Sequence, residues 1–258
     1  MPNRIGLIAS GAVSQSFLAR LPFVRERLGP IYSPALRIAS RISNGLRVGY
    51  PVSDFGAVAR CGIVLIAVPD STLDATVESA AAADARWTRK SVILCDSTHD
   101  TAALAPLQSR GADCASLGVI PASGETRFVA EGDPAAVATL RRLFGRANLL
   151  VLEPGGKDAY LAGLLLATDL TLELTARAVD SLRAAGLKRP QAVPIIEALV
   201  TQTARSYAKA GRRGAPGLPP RAVLSNYARA IRARDPEVAR LFESAVEMQA
   251  TKRLNSVD

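Results

Sequence analysis

The stretch Arg4 to Phe17, RIGLIASGAVSQSF, decides how the chain reads. Ile5 to Ile8 make a short apolar run, followed by the small residues Ala9, Ser10, Gly11 and Ala12 and by a helix-compatible segment from about Val13. That order predicts a first β-strand turning directly into a helix, the place where an α/β protein tends to hold a phosphate. In the dinucleotide-binding fingerprint three glycines allow a tight turn, close approach of backbone to pyrophosphate, and close packing of helix on strand. Here Ala9, Gly11 and Ser14 stand in those places. The retained middle glycine is the one whose missing side chain lets a diphosphate reach the N–H groups at a helix N-terminus. An ordinary tight strand-to-helix turn reads the same way, so the motif alone leaves the ligand open.

Outward from that turn, buried strands and helices alternate. Pro22 is expected to interrupt the first helix, and Gly29 to Ser33 (GPIYS) reads as a second strand. An acidic residue there would grip a ribose 2′-hydroxyl, whereas a basic one accommodates a 2′-phosphate. Tyr32, Ser33, Arg37 and Arg41 offer no carboxylate, so if a dinucleotide binds, NADP is favoured over NAD. Cys61 to Val68 (CGIVLIAV) and Ser91 to Cys95 (SVILC) are continuous apolar runs, the pattern of strands covered on both faces. The second delivers Asp96, Ser97, Thr98 and His99 to a strand's carboxyl end, where ligands sit in such sheets. His99, the sole histidine, suits acid or base work, and Asp96 to Thr101 equally suit the turn and cap of the next helix. Cys114 to Ile120, Arg127 to Ala130 and Leu149 to Leu152 complete the strands, with a helix from Pro134 to Phe144 capped by Asp133.

Beyond Glu153-Pro154-Gly155-Gly156 no strand is expected. One long helix from Lys157 to Ala185, a second from Pro190 to Ala210, a mobile basic loop over Gly211 to Pro220, and helices from Arg221 and Pro236 predict an all-α second domain. The chain therefore divides into a Rossmann-type NAD(P)-binding domain, residues 1–153, and an all-α substrate and dimerisation domain, residues 154–258. The helix opening at Lys157 is apolar around much of its circumference, which points to a homodimer through the C-terminal helices.

Composition bounds the function. The chain has 258 residues, 48% hydrophobic and 21% charged, as in a globular protein. No apolar run approaches a membrane span and the start lacks a signal-peptide pattern, so a cytoplasmic protein with no membrane contact is expected. Cys61, Cys95 and Cys114 are unclustered and read as buried thiols, and with a single histidine no metal site is expected. Of the net charge of +9, Arg183 to Asp258 carry +8, from 14 basic and 6 acidic residues. Those residues are spread along helices with few aromatics among them, so a solvated face is favoured over nucleic-acid binding.

The whole layout resembles the 6-phosphogluconate-dehydrogenase-like oxidoreductases, which include β-hydroxyacid dehydrogenases, ketopantoate reductases and pyrroline-5-carboxylate reductases. It is most similar to an uncharacterised Rossmann-like family beside the last of these. The resemblance rests on IGLIASGAVSQSF, GPIYS, VPDSTLDATV, ALAPLQSRGADCASLGVIP, FVAEGDPAAVATLRRLF and KDAYLAGLLLATD, in that order and spacing. It implies that Ala9 and Ser10 to Val13 wrap a pyrophosphate, that Ser33 and Arg37 lie near the adenosine ribose, and that Val68, Pro69 and Asp70 line the nicotinamide half. It further implies that Ser97 and Thr98 stand beside the reacting carbon and that Lys157 binds a substrate carboxylate or donates a proton. The chain departs from its relatives at Leu161, where histidine or asparagine is usual, at Asp169, where asparagine is, and at Gly118-Val119-Ile120-Pro121, which replaces Ser-Leu-His-Pro.

The expectation is an NADP-dependent oxidoreductase moving a hydride to or from a small carboxylate-bearing carbonyl or imine. The alternative is a catalytically degraded relative serving as a ligand-binding or structural dimer.

Overall fold

Apolar runs without polar alternation have no face to offer water, so strands built from them need cover on both sides. In the structure, a computed structural model describing residues 4–10, 15–96, 98–120, 127–145, 149–214 and 217–254, these runs lie in one eight-stranded sheet. Its strands are β1 (Ile5–Ala9), β2 (Leu28–Tyr32), β3 (Tyr50–Val52), β4 (Ile63–Ala67), β5 (Ser91–Cys95), β6 (Asp113–Ile120), β7 (Arg127–Gly132) and β8 (Leu149–Val151). Their order is β3-β2-β1-β4-β5-β6-β7-β8, and all neighbours are parallel except β6 with β7. The chain starts mid-sheet, winds outward through β2 and β3, and returns to β4 on the other side of β1. That is the doubly wound Rossmann arrangement, with its crevice where the winding reverses between β1 and β4.

The helices of this part are α1 (Gln15–Arg20), α2 (Val24–Arg27), α3 (Leu36–Leu46), α4 (Phe55–Ala59), α5 (Asp70–Ala82), α6 (Ala105–Gln108) and α7 (Pro134–Phe144). Alternate strand residues feed two cores. Leu7, Leu65 and Ile93 pack with residues of α1, α3 and α7, while Ile8, Val64, Ile66, Val92 and Leu94 pack with residues of α4 and α5 and with Trp87. Trp87 is buried because its indole N–H reaches the Ala80 carbonyl at 3.0 Å. Gly6 lets α4 lie directly on β1, since a Cβ there would meet the Val58 side chain at 2.6 Å.

Three local features refine the reading of the sequence. The edge strand β3 has only three residues and contains Pro51, which an edge tolerates but which hides it from a pattern search. Pro30 inside β2 is accommodated where the register with β1 shifts. Asp133 precedes α7 as expected but makes no cap; its Oδ2 accepts instead from the Cys114 N–H at 2.7 Å and from Gln108 at 3.0 Å.

The chain forms two compact units, Met1–Gly163 and Leu164–Asp258. The helix α8 (Lys157–Ala167) begins in the first, and α9 (Asp169–Ala184), α10 (Arg189–Ala210), α11 (Arg221–Arg232) and α12 (Pro236–Leu254) follow in the second. The single long helix expected from Lys157 is two helices. They meet at Thr168, whose backbone leaves the helical region at φ −112° and ψ −90° and whose hydroxyl reaches the Leu164 carbonyl, at 2.8 Å, and the Asp169 carboxylate, at 3.1 Å. Gly211–Gly214, expected as loop, forms a 3₁₀ turn, and residues 215–216 of that segment lie outside the described ones. Asp235 does cap α12, accepting from the N–H groups of Glu237 and Val238 at 3.1 and 3.0 Å. Arg177 of α9 joins Glu173 at 2.7 Å and Asp235 at 3.3 Å.

Large apolar side chains of the second unit stand in solvent, among them Leu166 at 62%, Leu172 at 69% and Leu199 at 53% exposure, and α9 buries no residue. By length and composition, Lys157–Ala184 also holds a window apolar enough to cross a membrane, contrary to the sequence expectation. Thr168 interrupts it, and Asp158, Asp169, Glu173 and Asp180 recur along it.

Candidate active site

The β1/β4 crevice is framed by the carboxyl ends of both strands. Ala9 closes β1, fully buried and paired with Ala67 of β4. Ser10 follows, also buried, and shares a 2.8 Å hydrogen bond with the Thr72 hydroxyl on α5, which itself donates to the Pro69 carbonyl at 3.1 Å. This chain of hydroxyls ties the exit of β1 to the exit of β4. Val68 and Pro69 lead into α5, Pro69 occupying its N-cap position, and Asp70 is exposed in the first turn. Gly11, Ala12 and Val13, assigned to a pyrophosphate, lie outside the described residues.

At the end of β2, Ser33 is 3% exposed and its hydroxyl has no hydrogen-bond partner among the described residues. An unsatisfied buried polar group costs about 1–3 kcal/mol, which marks a position awaiting a partner. Arg37 is exposed in the first turn of α3 just beyond, and with Ser40, Arg41, Asn44 and Gly45 it lines a surface hollow. The hollow itself carries two guanidinium groups and no carboxylate, a lining that suits an anion in type.

The polar cluster stands at the end of β5. Asp96 folds its carboxylate back over the turn, where Oδ1 accepts from the Thr98 N–H at 2.5 Å, the Thr98 hydroxyl at 2.6 Å and the His99 N–H at 3.2 Å. Its Oδ2 lies 2.9 Å from His99 Nδ1, with Asp70 Oδ1 at 3.7 Å from the same nitrogen. Burial alone would raise the Asp96 carboxyl, but the hydrogen bonds from Thr98 and His99 together outweigh it and hold the group below its ordinary value. Ser97 lies outside the described residues.

Lys157 comes from the other direction. The sequence reading put it on a pocket wall; the structure buries it to 1% exposure, with Nζ donating to the Asp96 carbonyl at 2.8 Å and to the His99 carbonyl. Burial lowers its pKa below that of a free lysine, opposed by the negative charges of the Asp96, Glu131 and Asp100 carboxylates. Asp70, Asp96 and His99 bring donor atoms within 4.8 Å of one another, a set that suits a divalent cation in type. The buried ammonium already supplies positive charge behind the turn, and Asp96 is already satisfied by hydrogen bonds.

Glu131, in β7, was not singled out from the sequence. It is 4% exposed, and Oε2 accepts from the Thr101 N–H at 3.2 Å and the Thr101 hydroxyl at 2.8 Å, while Oε1 accepts from the Gly155 N–H at 3.1 Å. It thereby ties the far end of the Asp96–Thr101 turn to the segment leading into α8. The one signal available was a carboxylate inside the otherwise apolar run FVAEG.

No protein-family model and no curated protein matches this chain. Solved structures do. An NAD⁺ complex of an imine reductase variant from Myxococcus stipitatus superposes with a TM-score of 0.72 at 14% identity, over 96% of this chain and 95% of that one. A candidate NADP oxidoreductase from Bacteroides fragilis gives 0.71 at 16% identity, over 96% and 97%. A reductive aminase from Aspergillus terreus, in complex with NADPH and ethyl levulinate, gives 0.62 at 13%, over 96% and 95%. At such identities the likeness establishes the fold, a Rossmann-type sheet followed by an all-α part, as the resemblance to 6-phosphogluconate-dehydrogenase-like proteins implied.

Proposed function

We propose, from the fold shared with these oxidoreductases, that the chain is an NADP-dependent oxidoreductase acting on a small carbonyl or imine. The observation that carries the reading is the buried Ser33 hydroxyl at the end of β2, without a hydrogen-bond partner among the described residues and four residues before Arg37. Ser33 would bind the adenosine ribose and Arg37 its 2′-phosphate, a charge-assisted pairing that favours NADP over NAD. When bound, the nicotinamide supplies or accepts the hydride. Val68, Pro69 and Asp70 line the path from that ribose toward β5, and Thr98, beside Ser97, presents the substrate side of the turn.

Lys157 serves this site by holding the turn rather than by reaching into it, because two of its three N–H groups are spent on backbone carbonyls. A carboxylate on the substrate would still feel its charge, and paired substrates with and without the carboxylate measure that preference. The exposed leucines of α9 and α10 support a homodimer, since apolar surface of this extent is covered in stable proteins.

Fluorescence titration tests the reading. NADPH is expected to bind in the micromolar range and more tightly than NADH, and no binding at millimolar NADPH would leave the alternative, a degraded fold kept as a structural dimer.

A further inference from the structure

The geometry points to His99 as the group that passes the proton in this reaction, with Asp96 and Lys157 as its positioning residues; the inference rests on the oxidoreductase reading above. A nitrogen 2.9 Å from the Asp96 carboxylate must carry a proton to make that bond, so Nδ1 is the protonated nitrogen of His99. The Thr98 hydroxyl, 3.1 Å from Nδ1, and Asp70 Oδ1 face the same side of the ring. Among the described residues nothing is bonded to Nε2. That nitrogen is therefore the one available for exchange, on a side chain 38% exposed at the carboxyl end of β5, next to the crevice.

Everything behind the ring is fixed. The Asp96 carboxylate is held by three donors of its own turn, the carbonyls of Asp96 and His99 are held by Lys157, and Thr101 is held by Glu131. Such over-determination of a short surface turn orients one ring nitrogen outward, as a proton-transfer group needs. In the reducing direction the charged imidazole breaks its Nε2–H bond and an O–H bond forms on the substrate. The carbonyl π pair moves onto that oxygen as a hydride from NADPH makes the new C–H bond. His99 is left neutral with Nδ1–H still on Asp96, and the oxidising direction reverses each step.

Because the chain contains one histidine, its imidazole can be observed alone. In full-length ¹⁵N-labelled protein, long-range ¹H–¹⁵N spectra are expected to show the Nδ1–H tautomer, and Asp96→Ala to shift it toward Nε2–H. Saturating NADP⁺ is expected to move the His99 ring resonances. The variant His99→Gln is expected to bind NADPH within threefold of wild type and to lose about 100-fold or more in single-turnover NADPH oxidation with glyoxylate. An Nε2–H tautomer in the wild type, ring resonances unmoved by bound NADP⁺, or turnover by His99→Gln near the wild-type rate would each overturn the assignment. Failure of the wild type to bind NADPH is a different result, which overturns the oxidoreductase reading and this assignment with it.

Discussion

The Lys157 ammonium lies 2.8 Å from the Asp96 carbonyl oxygen and also donates to that of His99, so one helix residue locks both ends of a four-residue turn. Lys157→Met keeps most of the side-chain volume and leaves both oxygens without this partner. We expect it to lower stability by about 3 kcal/mol, or roughly 6–12 °C in Tm for a domain of this size. Urea unfolding followed by circular dichroism checks it, and a loss under about 0.5 kcal/mol, the range of ordinary surface substitutions, would remove the lock.

Asp96 makes stability depend on pH in a definite direction. Its carboxyl is held below the ordinary value when folded, so it adds stability that is complete above the unfolded value, near 3.9, and drains away as pH falls toward the folded one. Asp96→Asn lacks that ionisation but keeps one acceptor. The gap between wild type and variant is expected to be about 1–2 kcal/mol at neutral pH and to close below about pH 4. Equilibrium unfolding at a series of pH values measures the gap, and one that stays constant from neutral to acid contradicts the assignment.

The sequence carried the sheet more fully than the site. Runs such as Ile5 to Ile8, Cys61 to Val68 and Ser91 to Cys95 are apolar on both faces, so burial leaves them one choice of structure. Tyr50–Val52 escapes because three residues with a central proline make an edge that borrows its order from β2. The break at Thr168 escapes because Thr175 and Thr203 make the same hydroxyl-to-carbonyl bond inside unbroken helices, so a threonine in the pattern does not mark a break. In the site, Asp96 and His99 are legible because strand ends face the crevice. The support behind them joins residues far apart in the chain, Glu131 to Thr101 and Lys157 to Asp96, and no local pattern encodes such a pairing.

Ser33 offers a test with two opposite signs. Its hydroxyl is buried without a partner among the described residues, so Ser33→Ala removes a cost from the free protein and should raise its Tm by about 2–4 °C. The same change removes a ligand contact, so NADPH should bind about 5–10-fold more weakly. Arg37→Ala should weaken NADPH about tenfold and leave NADH nearly unchanged, because only NADPH carries the 2′-phosphate. Thermal unfolding and fluorescence titration of both variants supply the numbers. Equal losses for NADPH and NADH in Arg37→Ala would place the phosphate elsewhere.

Leu172 is the most exposed large apolar residue of α9, at 69%; Leu170 and Leu174, at 44% and 51%, lie together on another side of the helix, because residues two apart point away from each other. A stable protein interface buries about 800 Å² on each partner, and the exposed apolar side chains of α9 and α10 would supply part of it. We expect the wild type to sediment as a dimer at micromolar concentration. Leu172→Asp places a charge where the partner's apolar surface would lie, and should weaken association at least tenfold without lowering the helix content read by circular dichroism. Flotation with neutral phospholipid vesicles separates this from membrane contact, since a dimer leaves the leucines covered and the protein unbound. A wild type that sediments as a monomer, or floats with the vesicles, would mean that something other than a second copy covers this face.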